Sequence, residues 1–270
     1  MSKITIWSKE PGLEGVEEVR PRLMREFIPE WYKNMPRDTV ETLIRTKNQT
    51  IKTCPSFGEW FNSGIVVPMW TDMVFHTDEK TREVRWQISQ GTFRVDIHND
   101  GQFRDHLPIH AQQALASVFK LVCPWRFKTE PGYSLYQMPL IYHFNKDFDI
   151  AAGMIRTDQW HEINQQLLMR KYGEVLIKRG TPLACYVPYK RETHKYKILD
   201  HFKDIKEIDK LNKIDYVNTL QVRTSFKHGY RLKTKETPSG CPYHRRVNDF
   251  KGILQRLKRI LGLSKEDTIQ

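Results

Sequence analysis

The 270-residue sequence carries 44 Lys+Arg against 32 Asp+Glu, a formal net charge of +12, with 39% apolar and 11% aromatic residues, seven of them Trp. That apolar share is far too high for a disordered chain and suits one large domain, or one domain with an appendage. No run of about eighteen apolar residues occurs, so no membrane span is expected; the short apolar stretch after Met1 reads as a strand rather than a signal peptide, and the expected place of the chain is a cytoplasm.

In chain order, residues 3–8 predict a first strand. Residues 21–35 set Leu23, Met24, Phe27, Ile28, Trp31 and Tyr32 among charges, the pattern of a short amphipathic helix interrupted at Pro29. After Gly64, the set Ile65, Val66, Val67, Met69, Trp70, Met73 and Val74 predicts a buried strand reaching Phe75. Val84–Ile88 and Thr92–Ile97 predict two shorter strands about a Ser-Gln-Gly turn. Residues 107–122 hold Ile109, Ala111, Ala114, Leu115, Val118, Phe119 and Val122 at near-helical spacing and predict a helix.

Trp125–Lys128 and Tyr133–Tyr136 predict a hairpin about Pro131-Gly132, where Pro pre-sets φ and Gly tolerates a positive φ in a type II turn. Leu140–Phe144, Phe148–Ile155, Glu174–Ile177 and Leu183–Pro188 continue the series of short strands. Such spacing predicts a mainly β (α+β) protein whose core, residues 1–189, is a β-sandwich of jelly-roll-like form.

From residue 190 the chain reads as a basic, partly helical extension. Ile205, Ile208 and Leu211 mark a short amphipathic helix, and Asn218–Phe226 a further strand. Val247–Leu263 is the clearest helix: Phe250, Ile253, Leu254, Leu257, Ile260 and Leu261 share a face, Asn248 or Asp249 can cap its start, and Gly262 its end. Residues 190–270 hold 20 Lys+Arg against 10 Asp+Glu; residues 1–189 hold 24 against 22. Such asymmetry marks either an anionic partner or a solvated face.

His106 and His110 have the four-residue spacing of paired zinc ligands, but Leu107-Pro108 disturbs a helix there. His143, Asp158 and His161 form a candidate two-His, one-carboxylate metal set, against a plainer reading in which Asp158 caps the run from Gln159-Trp160. No G-x-S-x-G, phosphate-loop or dinucleotide motif is present. Cys54 has Lys52 nearby and no adjacent base; with Cys123, Cys185 and Cys241 it reads as a free thiol, most of the four being buried. Arg223, Lys227, Arg231, Lys233, Lys235, Arg245, Arg246, Lys251, Arg256, Lys258 and Arg259 alternate with Phe226, Tyr230, Tyr243 and Phe250, a mixture that suits nucleic acid or an arm on a neighbouring subunit.

Several phrases carry a resemblance: P-E-W-Y-K-N-M-P (29–36), K-T-C-P-S-F-G-E-W-F (52–61), G-I-V-V-P-M-W-T-D-M (64–73), P-W-R-F-K-T-E-P-G-Y-S-L (124–135), G-M-I-R-T-D (153–158) and R-G-T-P-L-A-C-Y-V-P-Y-K-R (179–191). Over residues 29–191 the chain resembles an uncharacterised family of contractile-tailed phages of marine bacteria, also found in some bacterial genomes. The resemblance implies a viral origin and defines no catalytic residues.

The expected function is that of a virion structural or accessory protein, associated with head, neck or baseplate, that assembles through its basic arm with other virion proteins or copies of itself. It would be made in the host cytoplasm and then carried in the particle. No cofactor and no membrane are expected. One alternative is a jelly-roll enzyme or small-molecule binder using iron or another divalent metal during infection; another is a nucleic-acid-binding protein.

Overall fold

The computed structural model describes residues 3–40, 47–91, 93–193 and 195–224. The chain divides after His194 into two units. In the first, the strands in chain order are β1 (Thr5–Ser8), β2 (Arg22–Leu23), β3 (Asp38–Val40), β4 (Lys47–Gln49), β5 (Ile65–Pro68), β6 (Met73–Thr77), β7 (Val84–Ile88), β8 (Val95–His98), β9 (Ser117–Lys128), β10 (Tyr133–Pro139), β11 (Phe148–Ile150), β12 (Gly153–Ile155), β13 (Glu162–Met169), β14 (Gly173–Ile177) and β15 (Pro182–Lys190). Between them lie three short helices, α1 (Glu30–Asn34), α2 (Pro55–Phe61) and α3 (Ile109–Gln113). The second unit holds α4 (Ile205–Thr224).

The first sheet runs β1-β9-β13-β11, with β8 also on β9; the second runs β12-β10-β15-β5-β2; a third joins β14-β6-β7, and β3 pairs with β4. All pairs are antiparallel. The protein is thus mainly β, a jelly-roll-like sandwich. β9 is twelve residues long, so one of its edges serves two partners: β8 lies along Val118–Leu121 and β1 along Trp125–Lys128. Between those stretches β9 bulges against β13, where Val122 faces Asn164 but Arg126 faces Glu162. Pro124, which has no N–H for a ladder, sits in the bulge. The buried Arg126 guanidinium donates to the carbonyls of Cys123 and Trp125 and pairs with Glu162 at 3.0 Å.

The two large sheets meet at Phe127 of β9 and Tyr186 of β15, whose rings stack with centroids 5.4 Å apart. The Tyr186 hydroxyl donates to Oε1 of Gln137 (2.7 Å) and accepts from Nε2 of Gln165 (3.0 Å), while Gln137 Nε2 donates to the Ala151 carbonyl (2.8 Å). Both glutamines are buried. This chain of bonds ties β10, β13 and β15 across the core. Burial raises the Tyr186 pKa well above its ordinary value, against the opposing pull of the Gln165 bond, so the hydroxyl keeps its proton. The third sheet joins the same core through Phe75 of β6 on Phe119 of β9, 4.8 Å apart. On the outer face of the second sheet, Val66 and Cys185 lie under a satellite cluster in which Tyr32, Phe57, Phe61 and Tyr142 interlock. Gly64 opens β5 at φ 83°, and a Cβ there would lie 2.7 Å from the Tyr186 carbonyl oxygen, so only glycine lets β5 approach β15.

Several local expectations are corrected. The helix predicted over 107–122 is confined to α3, and β9 begins at Ser117: Val118, Phe119 and Leu121 are all buried because the strand is covered on both faces, which erases the period-two signal. The stretch 64–75 is two strands in different sheets, broken where Met69 exchanges backbone bonds with Gly180 and Thr181. The Pro131-Gly132 turn is present, with Gly132 at φ 83° and Tyr133 N–H bonded to the Glu130 carbonyl, but it carries the chain from one sheet to the other and makes no hairpin. Phe148–Ile155 likewise splits between the sheets, and Leu140–Phe144 is a tight turn with Phe144 at φ 50°. Of the strand expected over 218–226, residues 218–224 are helical in α4. The helix expected over Val247–Leu263 lies outside the described residues. The 21–35 helix is instead β2, a 3₁₀ turn over Met24–Phe27 and, after Pro29, α1.

Replacing Tyr186 by Phe removes the bond to Gln137 and leaves two buried amides short of a partner. It is expected to destabilise the fold by about 1–3 kcal/mol, read as a lower denaturant midpoint at unchanged slope.

Candidate functional site

The three candidate metal ligands are held in separate settings. His143 lies in the Ile141–His143 turn beside the Phe27 backbone, and burial pushes its pKa below the ordinary 6.5. His161 packs edge-on against Trp7, ring centroids 5.4 Å apart, and its carbonyl accepts from the Phe127 N–H. Asp158 sits in a turn rather than capping a helix. Its carboxylate accepts from the Gly132 N–H at 3.0 Å and forms a two-point pair with Arg191, which brings its pKa down to about 2. No grouping of three His, Cys, Asp or Glu side chains among the described residues is placed to hold a metal ion. The trio is therefore not assembled, because Asp158 is claimed by an arginine 33 residues further on.

The other expected positions are equally dispersed. His106 Nε2 bonds the Gly101 carbonyl (2.9 Å) from a 3₁₀ turn, and His110 lies in α3, so the two do not share a helix face. Lys52 points its ammonium at the carbonyls of Lys33 and Met35, away from a role at Cys54. Cys54, Cys123 and Cys185 are free thiols, and burial pushes the latter two up to about 12. Cys241 lies outside the described residues, as do Lys227, Arg231, Lys233, Lys235, Arg245, Arg246, Lys251, Arg256, Lys258 and Arg259; Arg223 falls on the backbone of α4.

Asp158 and Arg191 close one end of the sandwich. Arg191 also donates to the Tyr133 carbonyl and the Ser134 hydroxyl, and its N–H reaches the Gly132 carbonyl (2.8 Å), so the chain stays tied to the core just past β15.

Beyond that tether, the second unit presents its own surface. Tyr196, Ile198 and Phe202 are 88, 85 and 89% exposed, and Tyr216 is 66% exposed. These side chains stand on a locally bonded frame. The Asp200 carboxylate accepts from the N–H groups of Phe202 (2.9 Å) and Lys203 (3.0 Å), an Asx turn, while the Asp204 carboxylate accepts from the Asp200 N–H (2.9 Å). Lys197 reaches Asp204 (3.3 Å) and Glu207 (3.1 Å), fastening the extended segment to the first turn of α4. The Asp200 N–H, then Lys197, lower the Asp204 pKa. The frame holds the backbone from Asp200 to Asp204, and with it Phe202, before any partner arrives, which lowers the ordering cost of a contact there.

Along α4, Ile205, Ile208, Leu211 and Ile214 recur every third residue. A step of three residues falls about 60° short of a full turn, so these positions wind round the helix instead of sharing one face. Ile205 and Leu211 are nearly half exposed. Sequence reasoning missed Tyr196, Ile198 and Phe202 because the segment reads as polar and Lys-rich; the usable signals were the Tyr-x-Ile alternation and the Asp200-x-Phe202 turn pattern.

No family model and no curated protein matches the chain. Among solved structures it is similar to a native EIAV dUTPase, with TM-score 0.30 and 8% identity over 52% of this chain and 86% of that one. It is also similar to a point mutant of the dUTPase from phage phi11 of S. aureus, with TM-score 0.33 and 10% identity over 74% of this chain and 99% of that one. Likeness at this level does not extend to activity. No helix among the described residues is long and apolar enough to cross a membrane.

The Asp158 pair makes a stability signature. Its folded-state pKa lies below the ordinary 3.8, so the contribution is complete above pH 3.8 and is lost as pH falls towards about 2. The wild-type melting temperature is expected to fall across that window, and Asp158→Asn, already lacking the charge, to show a shallower fall in the same pH series.

Proposed function

We propose that this chain is a structural or accessory component of a phage particle, associated with head, neck or baseplate, that assembles through its C-terminal extension. The observation that carries the reading is the extension's row of large apolar side chains, Tyr196, Ile198 and Phe202, almost wholly in solvent, the last of them on a backbone already held in place. Side chains of that size are normally covered; exposed together, they mark a surface meant for contact. The phage-family resemblance over residues 29–191 supports the particle as the setting, and the sandwich supplies a stable body from which an arm can reach.

The charge balance favours a second reading for the segment beyond α4's first half. Residues 217–270 hold twelve Lys+Arg against four Asp+Glu. An excess of that density suits phosphate contacts, so the tail would bind nucleic acid inside or beside the particle.

Mass spectrometry of particles purified from cultures that make the chain tests the leading reading. The expected result is a fixed copy number relative to the major capsid protein; presence in the lysate with absence from particles overturns it. For the second reading, the affinity for a short duplex DNA is expected to fall steeply with salt and to be lost when residues 223–270 are removed, and unchanged binding by the truncated chain overturns it.

A further inference from the structure

We infer that the partner covering Tyr196–Tyr216 is a second copy of this chain, in a contact made by the extension itself. The inference rests on the assembly reading above and names the partner for that same surface.

The first argument is charge. Residues 195–216 hold six lysines (Lys195, Lys197, Lys203, Lys206, Lys210, Lys213) and five acids (Asp200, Asp204, Glu207, Asp209, Asp215). The positive excess of the extension therefore lies elsewhere, between 217 and 270. A surface built to meet a polyanion would concentrate cations beside its aromatic rings, and one built to meet a strongly charged protein face would carry the opposite sign in bulk. A nearly neutral surface with both signs interspersed meets a copy of itself without like-charge repulsion, which is the requirement of a self-complementary two-fold contact.

The second argument is area. Tyr196, Ile198 and Phe202 present about 500 Å² to solvent, taking about 200 Å² for each fully exposed large side chain, and Ile205 and Tyr216, which fall about 20° apart round α4, add about 200 Å², a total close to one partner's share of a standard interface. The third is preorganisation. Asp200 and Asp204 hold the turn that carries Phe202 before contact, so association does not have to order that turn.

The experiment uses the full-length protein after nuclease treatment, with molar mass read by light scattering and sedimentation over a concentration series. Wild type, the double variant Ile198→Ser with Phe202→Ser, and Trp160→Ser are compared; Trp160 is an exposed ring on the sandwich and serves as the control. Circular dichroism verifies that each folds, which exposed substitutions allow. The expected result is a wild-type oligomer that persists at about 0.5 M salt, where charge contacts are screened, and a double variant whose dissociation constant rises at least about 100-fold, with Trp160→Ser unchanged. A monomeric wild type, an oligomer that disappears with nuclease or salt, a double variant that assembles as before, or an equal loss in Trp160→Ser each overturns the inference. The particle measurement above is independent of these outcomes: a chain found in particles yet monomeric alone sinks the self-contact and leaves the structural role standing.

Discussion

A hydroxyl and two amides lie in the middle of an apolar core, and the sandwich depends on their meeting. Buried without partners, each would cost on the order of 1–3 kcal/mol, so only an arrangement that brings Tyr186 to Gln137 and Gln165 is tolerable. A slip of one residue in β13 or β10 turns its glutamine outward and strips the tyrosine of one of its two bonds. Leucines in those positions would tolerate many registers. The polar chain admits one, and with it the spacing of the sheets and the stacking of Phe127 on Tyr186. The bulge in β9 obeys the same rule on a smaller scale, since Arg126 donates to carbonyls on both sides of Pro124.

The short strands bounded by clear turns were legible: Val84–Ile88 coincides with β7, and the expectations over 174–177 and 183–188 fall within β14 and β15. The type II turn at Pro131-Gly132 was legible too, because it depends on two residues and one φ angle. Its destination was not, since a turn's chemistry does not say whether the next strand pairs with the last or crosses to another sheet. β13 escaped notice because Gln165, a polar residue, occupies one of its inward positions and disguises the alternation of Ile163, Leu167 and Met169. The first half of β9 passed for a helix because a strand buried on both faces shows no period of two, while its end, Trp125–Lys128, was legible as a strand.

The candidate site divides in the same way. Residue types that bind metals can be read anywhere, but their convergence depends on long-range partners; Asp158 goes to Arg191, and His161 goes to Trp7. The surface that does stand out is made by residues with lysines beside them in sequence, and a window average over such a stretch hides two rings and an isoleucine. What decides their character is exposure on a fixed backbone, a property only three dimensions supply. The charge asymmetry between core and extension, by contrast, was visible from counting, and its finer partition within the extension separates an apolar, balanced half from a basic one.

The two buried thiols have a practical meaning. With pKa values pushed up to about 12, Cys123 and Cys185 are almost entirely protonated at neutral pH and react sluggishly with alkylating reagents while the fold is closed. They sit in different places, Cys123 in the main core beside the β9 bulge and Cys185 beneath the satellite aromatic cluster, with its sulfur 3.6 Å from that of Met24. Each is thus a silent label in its own compartment. The rate at which either becomes reactive measures how often that compartment opens, and a difference between the two rates would show the aromatic cap lifting from the sheet while the sandwich beneath it stays shut.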